Sequence, residues 1–146
     1  MIKLLRFFEL ILTYTHKQNK LTACCTEPGG FWQIHRTDGQ WYWAEYMTFS
    51  ISDEVGKYQL TVNGYSGDAG NVMMVAAETY WIANGMMFST VDSDNDASPG
   101  NCAVDWNGGW WQGACSASMI NRNSNAFWMH TAGFDVQASR MLVKFN

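Results

Sequence analysis

The stretch from Phe88 to Cys115, FSTVDSDNDASPGNCAVDWNGGWWQGAC, constrains this protein more than any other, because acids, glycines, two cysteines and adjacent tryptophans fall within it. Asp92, Asp94 and Asp96 alternate, so in a looped backbone their carboxylates can converge on one point, where like charges repel unless a cation sits between them. An all-oxygen donor set favours a hard ion, Ca2+ foremost. The pattern D-x-D-x-D also opens an EF-hand loop. Counted from Asp92, however, the sixth position is Ala97, where the sharp turn requires Gly, and the twelfth is Ala103, where a bidentate Glu belongs. An EF-hand is excluded. A solvated acidic turn built with Asn95, Ser98, Pro99 and Gly100 fits the same spacing, so spacing alone leaves both a metal loop and an ordinary turn open.

At 146 residues the protein has the size of one domain with a sizeable core, and a hydrophobic content of 47% with 15% aromatics excludes disorder throughout. Its net charge is −4, and four of its nine basic residues lie in the first twenty, which leaves no basic face for a nucleic-acid backbone. Those first twenty residues place Lys3 and Arg6 ahead of a short apolar run that Glu9 interrupts, and a polar spacer follows from His16 to Lys20. Residues 1–20 therefore read as a degenerate targeting segment or as an extra amphipathic helix, with the domain proper at 21–146. No stretch is long and apolar enough to span a bilayer. The cysteines, Cys24, Cys25, Cys102 and Cys115, form no C-x-x-C pair, which excludes the common zinc and redox spacings. His16, His35 and His130 stand far apart, and Ser116 has no identifiable base, so catalysis has little support.

Alternation predicts a hairpin that uses Tyr46, Phe49, Ile51, Val55 and Tyr58, turns at Asp53 and Glu54, and then places Tyr58, Leu60 and Val62 on one core-facing side. Residues 71–78, NVMMVAAE, have a helix-compatible composition in which Met73, Met74 and Ala77 share a face, with core filling the expected role of the methionines. Asn84 and Gly85 signal a tight turn leading into residues 87–90.

F-S-T-x-D-x-D-N-D, then Gly100-Asn-Cys-Ala, Gly108-Gly-Trp-Trp and a second cysteine resemble the C-terminal half of a fibrinogen-related domain, the module of fibrinogen, ficolins, tachylectins, angiopoietins and tenascins. The resemblance continues upstream through Tyr58-Gln-Leu-Thr-Val, Gly64-Tyr-Ser-Gly-Asp-Ala-Gly and Asn84-Gly-Met-Met-Phe-Ser-Thr, and is fullest over residues 44–115. It implies an α+β, fibrinogen C-terminal-like fold, with a small central antiparallel sheet, short helices and a loop-rich, calcium-binding C-terminal subdomain. Residues 25–39 resemble the family's entry strand, which implies a strand at 31–36, and residues 139–145 resemble the closing strand that returns to the sheet. The sequence is shorter than the family's usual domain, and residues 40–43 mark the expected site of an internal deletion. The family's partner for the entry-strand cysteine has no counterpart here, so one of Cys24 and Cys25 is unpaired, or the two bond each other, or they join protomers into an oligomer.

Carried over residue by residue, the resemblance implies that Ca2+ is held by the side chains of Asp94 and Asp96, the backbone carbonyls of Ser98 and Gly100, and waters, with Asp92 nearby but outside the ligand set. It implies a Cys102–Cys115 disulfide in an oxidising, secreted setting, worth about 3 kcal/mol for a loop of that length; free buried thiols are the alternative. It also implies a ligand pocket beside Cys115 that uses Ser116 and Trp128, with Asn121 as a structural neighbour and a cis bond between Ala114 and Cys115. Ser116 stands where the family commonly has His, Arg122 where it has Gly, and the aromatic loop that normally follows is nearly absent. At least one of Trp110 and Trp111 is expected in the core against the disulfide. The expected function is a calcium-stabilised, lectin-like, non-catalytic recognition module of the innate-immune kind, binding an acetylated carbohydrate or an extracellular protein. The rival expectation is a structural or protein-interaction fragment whose pocket has decayed.

Overall fold

The computed structural model describes residues 29–76, 78–122, 125–129 and 136–144. The readings placed on residues 1–20, on Cys24 and Cys25, and on Ala77, His130 and Phe145 lie outside the described residues.

Three long strands follow one another at the start: β1 (Gly29–Arg36), β2 (Trp41–Ile51) and β3 (Leu60–Gly67). Short elements come next: β4 (Phe88–Ser89), the helix α1 (Cys102–Asp105), β5 (Trp110–Trp111), β6 (Ser118–Met119) and β7 (Phe127–Trp128). The closing strand, β8 (Val136–Lys144), pairs antiparallel with β1, so the main sheet has the order β3-β2-β1-β8. Both the strand expected at 31–36 and the return of the closing strand are observed. Helix is sparse: besides α1, the described residues contain a 3-10 turn at Thr79–Trp81.

Residues 37–40 join β1 to β2 in a tight turn, closed by the Arg36 N–H donating to the Gln40 carbonyl at 2.9 Å, with Gly39 at φ +84°. The strands alternate as a half-buried sheet should. Trp32 and Ile34 of β1 and Ala44 and Tyr46 of β2 are fully buried, while Trp41 and Trp43 are 44% and 37% exposed on the other face. A shallow hollow of about 290 Å³ on the sheet is lined by Phe31, Gln33, Trp41, Tyr42 and Trp43.

Rings connect this sheet to the loops beyond it. Trp32 packs edge-on to Tyr46 at 5.2 Å and against Phe49 at 5.7 Å; Phe49 meets Trp111 at 6.1 Å, and Trp111 meets Phe88 at 5.1 Å and Trp110 at 5.2 Å. Buried aromatics carry much of a core's energy, so this series of contacts joins the sheet and the loop-rich part into one core.

Two local expectations give way to specific hydrogen bonds. Residues 71–76 form hydrogen-bonded turns, not a helix: Met73 is fully buried and its carbonyl accepts from the Asn84 N–H at 2.9 Å, which removes it from any i to i+4 ladder. In the β2–β3 connection, Asp53 Oδ1 accepts from the Gly56 N–H at 2.9 Å and the Asp53 carbonyl accepts from the Tyr58 N–H at 3.0 Å. That self-contained turn leaves Val55 91% exposed at its tip, outside the hairpin's apolar set, and delays β3 to Leu60. Leu60 and Val62 are buried as alternation requires, and Tyr58 lies before the strand, half-buried.

Candidate functional site

The acidic loop is folded by its own side chains. Asp92 Oδ1 accepts from the Thr90 hydroxyl at 2.8 Å, beside a one-pair bridge between Thr90 and Ser93. Asp94 Oδ1 accepts from the Asp96 N–H at 3.2 Å, and Asp96 Oδ1 accepts from the Ser98 N–H at 2.8 Å. The Ser98 hydroxyl accepts from the Gly100 N–H at 3.3 Å. Each of these last three acceptors reaches two residues ahead, the local turn that Asp and Ser side chains favour. The loop then runs into α1, which Asn101 caps by accepting from the Val104 N–H.

Asp96 has a second role. Its Oδ2 accepts from the Cys102 N–H at 2.9 Å, and Cys102 is bonded to Cys115 with a Cα–Cα distance of 5.3 Å, within the usual disulfide range. One carboxylate thus links the acidic loop to the disulfide expected from the resemblance. The Ala97 N–H donates to the Gly113 carbonyl at 2.9 Å and ties the loop to the same corner.

The donor set suits a hard cation. Burial pushes the Asp96 carboxyl above its ordinary value and the neighbouring negative charge of Asp94 adds to the rise, against the lowering by the Cys102 and Ser98 N–H donors. Two carboxylates that repel in this way are what a divalent ion relieves. No backbone N–H among the described residues donates to the Ser98 or Gly100 carbonyl. Among the described residues no three His, Cys, Asp or Glu side chains gather as a metal site, so Asp92, Asp94 and Asp96 do not form the converging triad that spacing suggested; Asp92 is engaged with Thr90.

A knot of polar bonds holds the middle of the loop. The Asn95 N–H donates to the Ser89 hydroxyl at 3.0 Å, its amide Nδ2 donates to the Phe88 carbonyl at 2.8 Å, and its Oδ1 accepts from the Lys57 ammonium at 2.6 Å. Lys57 and Tyr58 have φ of 54° and 55°, the left-handed region, at a cost of about 1–3 kcal/mol each for non-glycine residues. Their carbonyls are bonded in compensation, Lys57 to the Phe88 N–H at 3.0 Å and Tyr58 to the Trp111 indole N–H at 2.8 Å. Lys57 gives no signal in the sequence, because it stands 38 residues from Asn95 and belongs to no motif.

The residues expected at the ligand pocket lie inside the protein. Ser116 is 7% exposed and its hydroxyl accepts from the Ser118 N–H; Trp128 is fully buried and its indole N–H donates to the Gly70 carbonyl at 3.2 Å. Asn121, on the surface, donates to the Gly109 carbonyl. Arg122 lies with its guanidinium over the Trp106 and Phe127 rings, at 5.0 and 5.7 Å, and bonds the Trp106 and Asn125 carbonyls. No described peptide bond is cis. The cis bond expected before Cys115 is absent, and the backbone turns instead through Cys115 at φ +69°, with the Gly113 N–H donating to the Cys115 carbonyl. Trp110 and Trp111 are both in the core.

No described helix is long and apolar enough to cross a membrane. Across residues 16–141 the sequence matches the family described as fibrinogen beta and gamma chains, C-terminal globular domain. Over 105 residues it is 39% identical to the fibrinogen beta chain of Gallus gallus, covering 64% of this protein and 22% of that one. It is 41% identical over 87 residues to angiopoietin-related protein 6 of Mus musculus, covering 60% of this protein and 17% of that one. The fibrinogen-like globe domain of human ANGPTL2 superposes with a TM-score of 0.70 at 27% identity, covering 82% of this protein and 59% of the other. The sequence therefore spans about a fifth of the length of these two curated relatives. With its entry and closing strands paired, its disulfide in place and its matched residues extending from before β1 into β8, the protein belongs to the family of fibrinogen beta and gamma C-terminal globular domains.

Proposed function

We propose that this protein is a calcium-stabilised extracellular recognition module without catalytic chemistry, and that its partner is an extracellular protein. The observation that carries the reading is the shared carboxylate of Asp96, which stands between the acidic loop and the Cys102–Cys115 disulfide. Asp94 and Asp96, with the Ser98 and Gly100 carbonyls, would hold the ion, which supplies positive charge where two carboxylates meet. The protein's own contribution is to fix Asp96 by two N–H donors, so that ordering the loop also orders the backbone at Cys102. A disulfide belongs in an oxidising compartment, in keeping with secretion.

A protein partner is favoured over an acetylated carbohydrate because Ser116 and Trp128 are buried and engaged with their own fold. The carbohydrate reading requires that corner to open. Calorimetric titration with an N-acetylated sugar, with and without calcium, separates the two, and heat that depends on calcium would restore the lectin-like reading. For the metal, calcium should raise the melting temperature of the unaltered protein, and the Asp94→Asn/Asp96→Asn double variant should lose that rise. An unchanged calcium response removes this site.

A further inference from the structure

We infer that Asn95, latched by Lys57, is a positioning residue that sets the separation of the Asp94 and Asp96 carboxylates and so the affinity of the loop for a divalent cation. The inference rests on the calcium reading above and adds to it two residues outside the ligand set.

Asn95 lies between the two carboxylate residues in sequence, so its backbone is the only covalent link between them. Its side chain leaves the acidic cluster and enters a polar knot: Nδ2 donates to the Phe88 carbonyl at 2.8 Å and approaches the Ser93 carbonyl and hydroxyl at 3.5 and 3.3 Å. Its backbone N–H donates to the hydroxyl of Ser89, a residue with no solvent exposure. Oδ1 accepts from Lys57 at 2.6 Å, a charge-assisted bond. Both ends of the amide are therefore engaged, and the residue is anchored to β4 on one side and to the β2–β3 connection on the other. With Asn95 pinned, the backbone that carries Asp94 and Asp96 has little freedom to splay, and the repulsion of the two carboxylates is resisted by the fold before any ion arrives. Preorganised ligands bind more tightly because less order is lost on binding.

Lys57 reaches this position because the backbone turns through two left-handed residues, and the Phe88 N–H bond to the Lys57 carbonyl fixes the same residue from its backbone. Groups hydrogen-bonded to a metal's ligands typically change its affinity about 10- to 100-fold when removed; Asn95, joined to both ligand residues through the backbone, should act at the low end of that range.

The test is the calcium dissociation constant of the full-length protein, read by calorimetry, with terbium luminescence as an independent probe and near-ultraviolet circular dichroism to show that each variant is folded. Asn95→Ala should weaken binding about 10-fold. Lys57→Met should weaken it in the same direction, and Lys57→Arg, which keeps a cationic donor, should restore it. In a double-mutant cycle Lys57→Met should add little to Asn95→Ala, because the two residues form one latch. Unchanged affinity in both single variants overturns the inference, as does tighter binding by Lys57→Met, which would mean that Lys57 acts only by repelling the ion. Should Asn95→Ala fail to fold, the Lys57→Met and Lys57→Arg pair decides alone. Absence of calcium binding by the unaltered protein overturns the calcium reading and the latch with it; calcium binding that no variant weakens overturns the latch alone.

Discussion

The main sheet and the loop-rich region beyond it share one core but are held by different means. In the sheet, backbone ladders run unbroken for many residues, with β1 paired to β2 from Gly30 to His35 and to β8 from Gly29 to Ile34 and beyond. In the loop-rich region the paired strands are two residues long, β4 with β5 and β6 with β7, and the backbone is fixed by single side groups: Asp96, Asn95, Asn101, Arg122 and the disulfide. A ladder distributes its stability, so losing one side group on its exposed face changes little. A loop held by single acceptors concentrates it, and one substitution can release a whole segment. What the two regions share is the row of rings from Trp32 through Phe49 and Trp111 to Trp110.

The largest expected effect is on that shared row. Trp111→Ala removes a buried ring together with its bond to the Tyr58 carbonyl and should destabilise by about 3–5 kcal/mol, measured by urea unfolding. Sheet and loop signals should be lost in one transition; two separate transitions would mean that the regions fold independently. Next comes the disulfide. Replacing Cys102 and Cys115 together by serine should cost about 2–4 kcal/mol and raise hydrogen exchange in the acidic loop before it does so in β1 and β2. Equal exchange in both regions would erase the distinction between them.

The smallest effect is that of pH on Asp96. Its carboxyl is held above the ordinary value, so the fold favours its protonated form when no cation is bound. The associated stability is complete below the ordinary carboxyl value of about 4 and is lost as pH rises through the raised value. Melting temperatures without calcium should therefore fall slightly over that interval, and saturating calcium should abolish the fall. In Asp96→Asn the fall should be absent with or without calcium.

The sheet could be read from the sequence because its signals are periodic and local: Leu60 and Val62 alternate into the core, and Asn84–Gly85 forms the expected turn, with Gly85 at φ +82° donating to the Leu60 carbonyl. The order of the acidic-loop residues and the cysteine pair was recoverable from their likeness to a family. What the sequence hid is non-local. The Met73 carbonyl is taken by the N–H of Asn84, eleven residues on, and Lys57 bonds Asn95, 38 residues on, with β3 and β4 between them in sequence. Trp128 looks like a pocket residue in sequence, yet it is buried with its indole N–H on the Gly70 carbonyl, and no spacing rule contains that partner, 58 residues away. Val55 failed for the opposite reason, because the Asp53 turn is so local that it closes before the apolar residue can reach the sheet.

The pairing of Gly29 with Lys144 places the first residue of β1 directly beside the last residue of β8. Backbone enters β1 and leaves the edge strand β8 at the same end of the sheet. Tension applied through both ends would not shear the ladder as a block; it would peel β8 from β1, breaking hydrogen bonds in succession from Gly29 inward. A ladder that resists heat and denaturant as a cooperative unit would, against such a pull, behave as a zipper, yielding at low force while the acidic loop, closed by its disulfide, stayed intact.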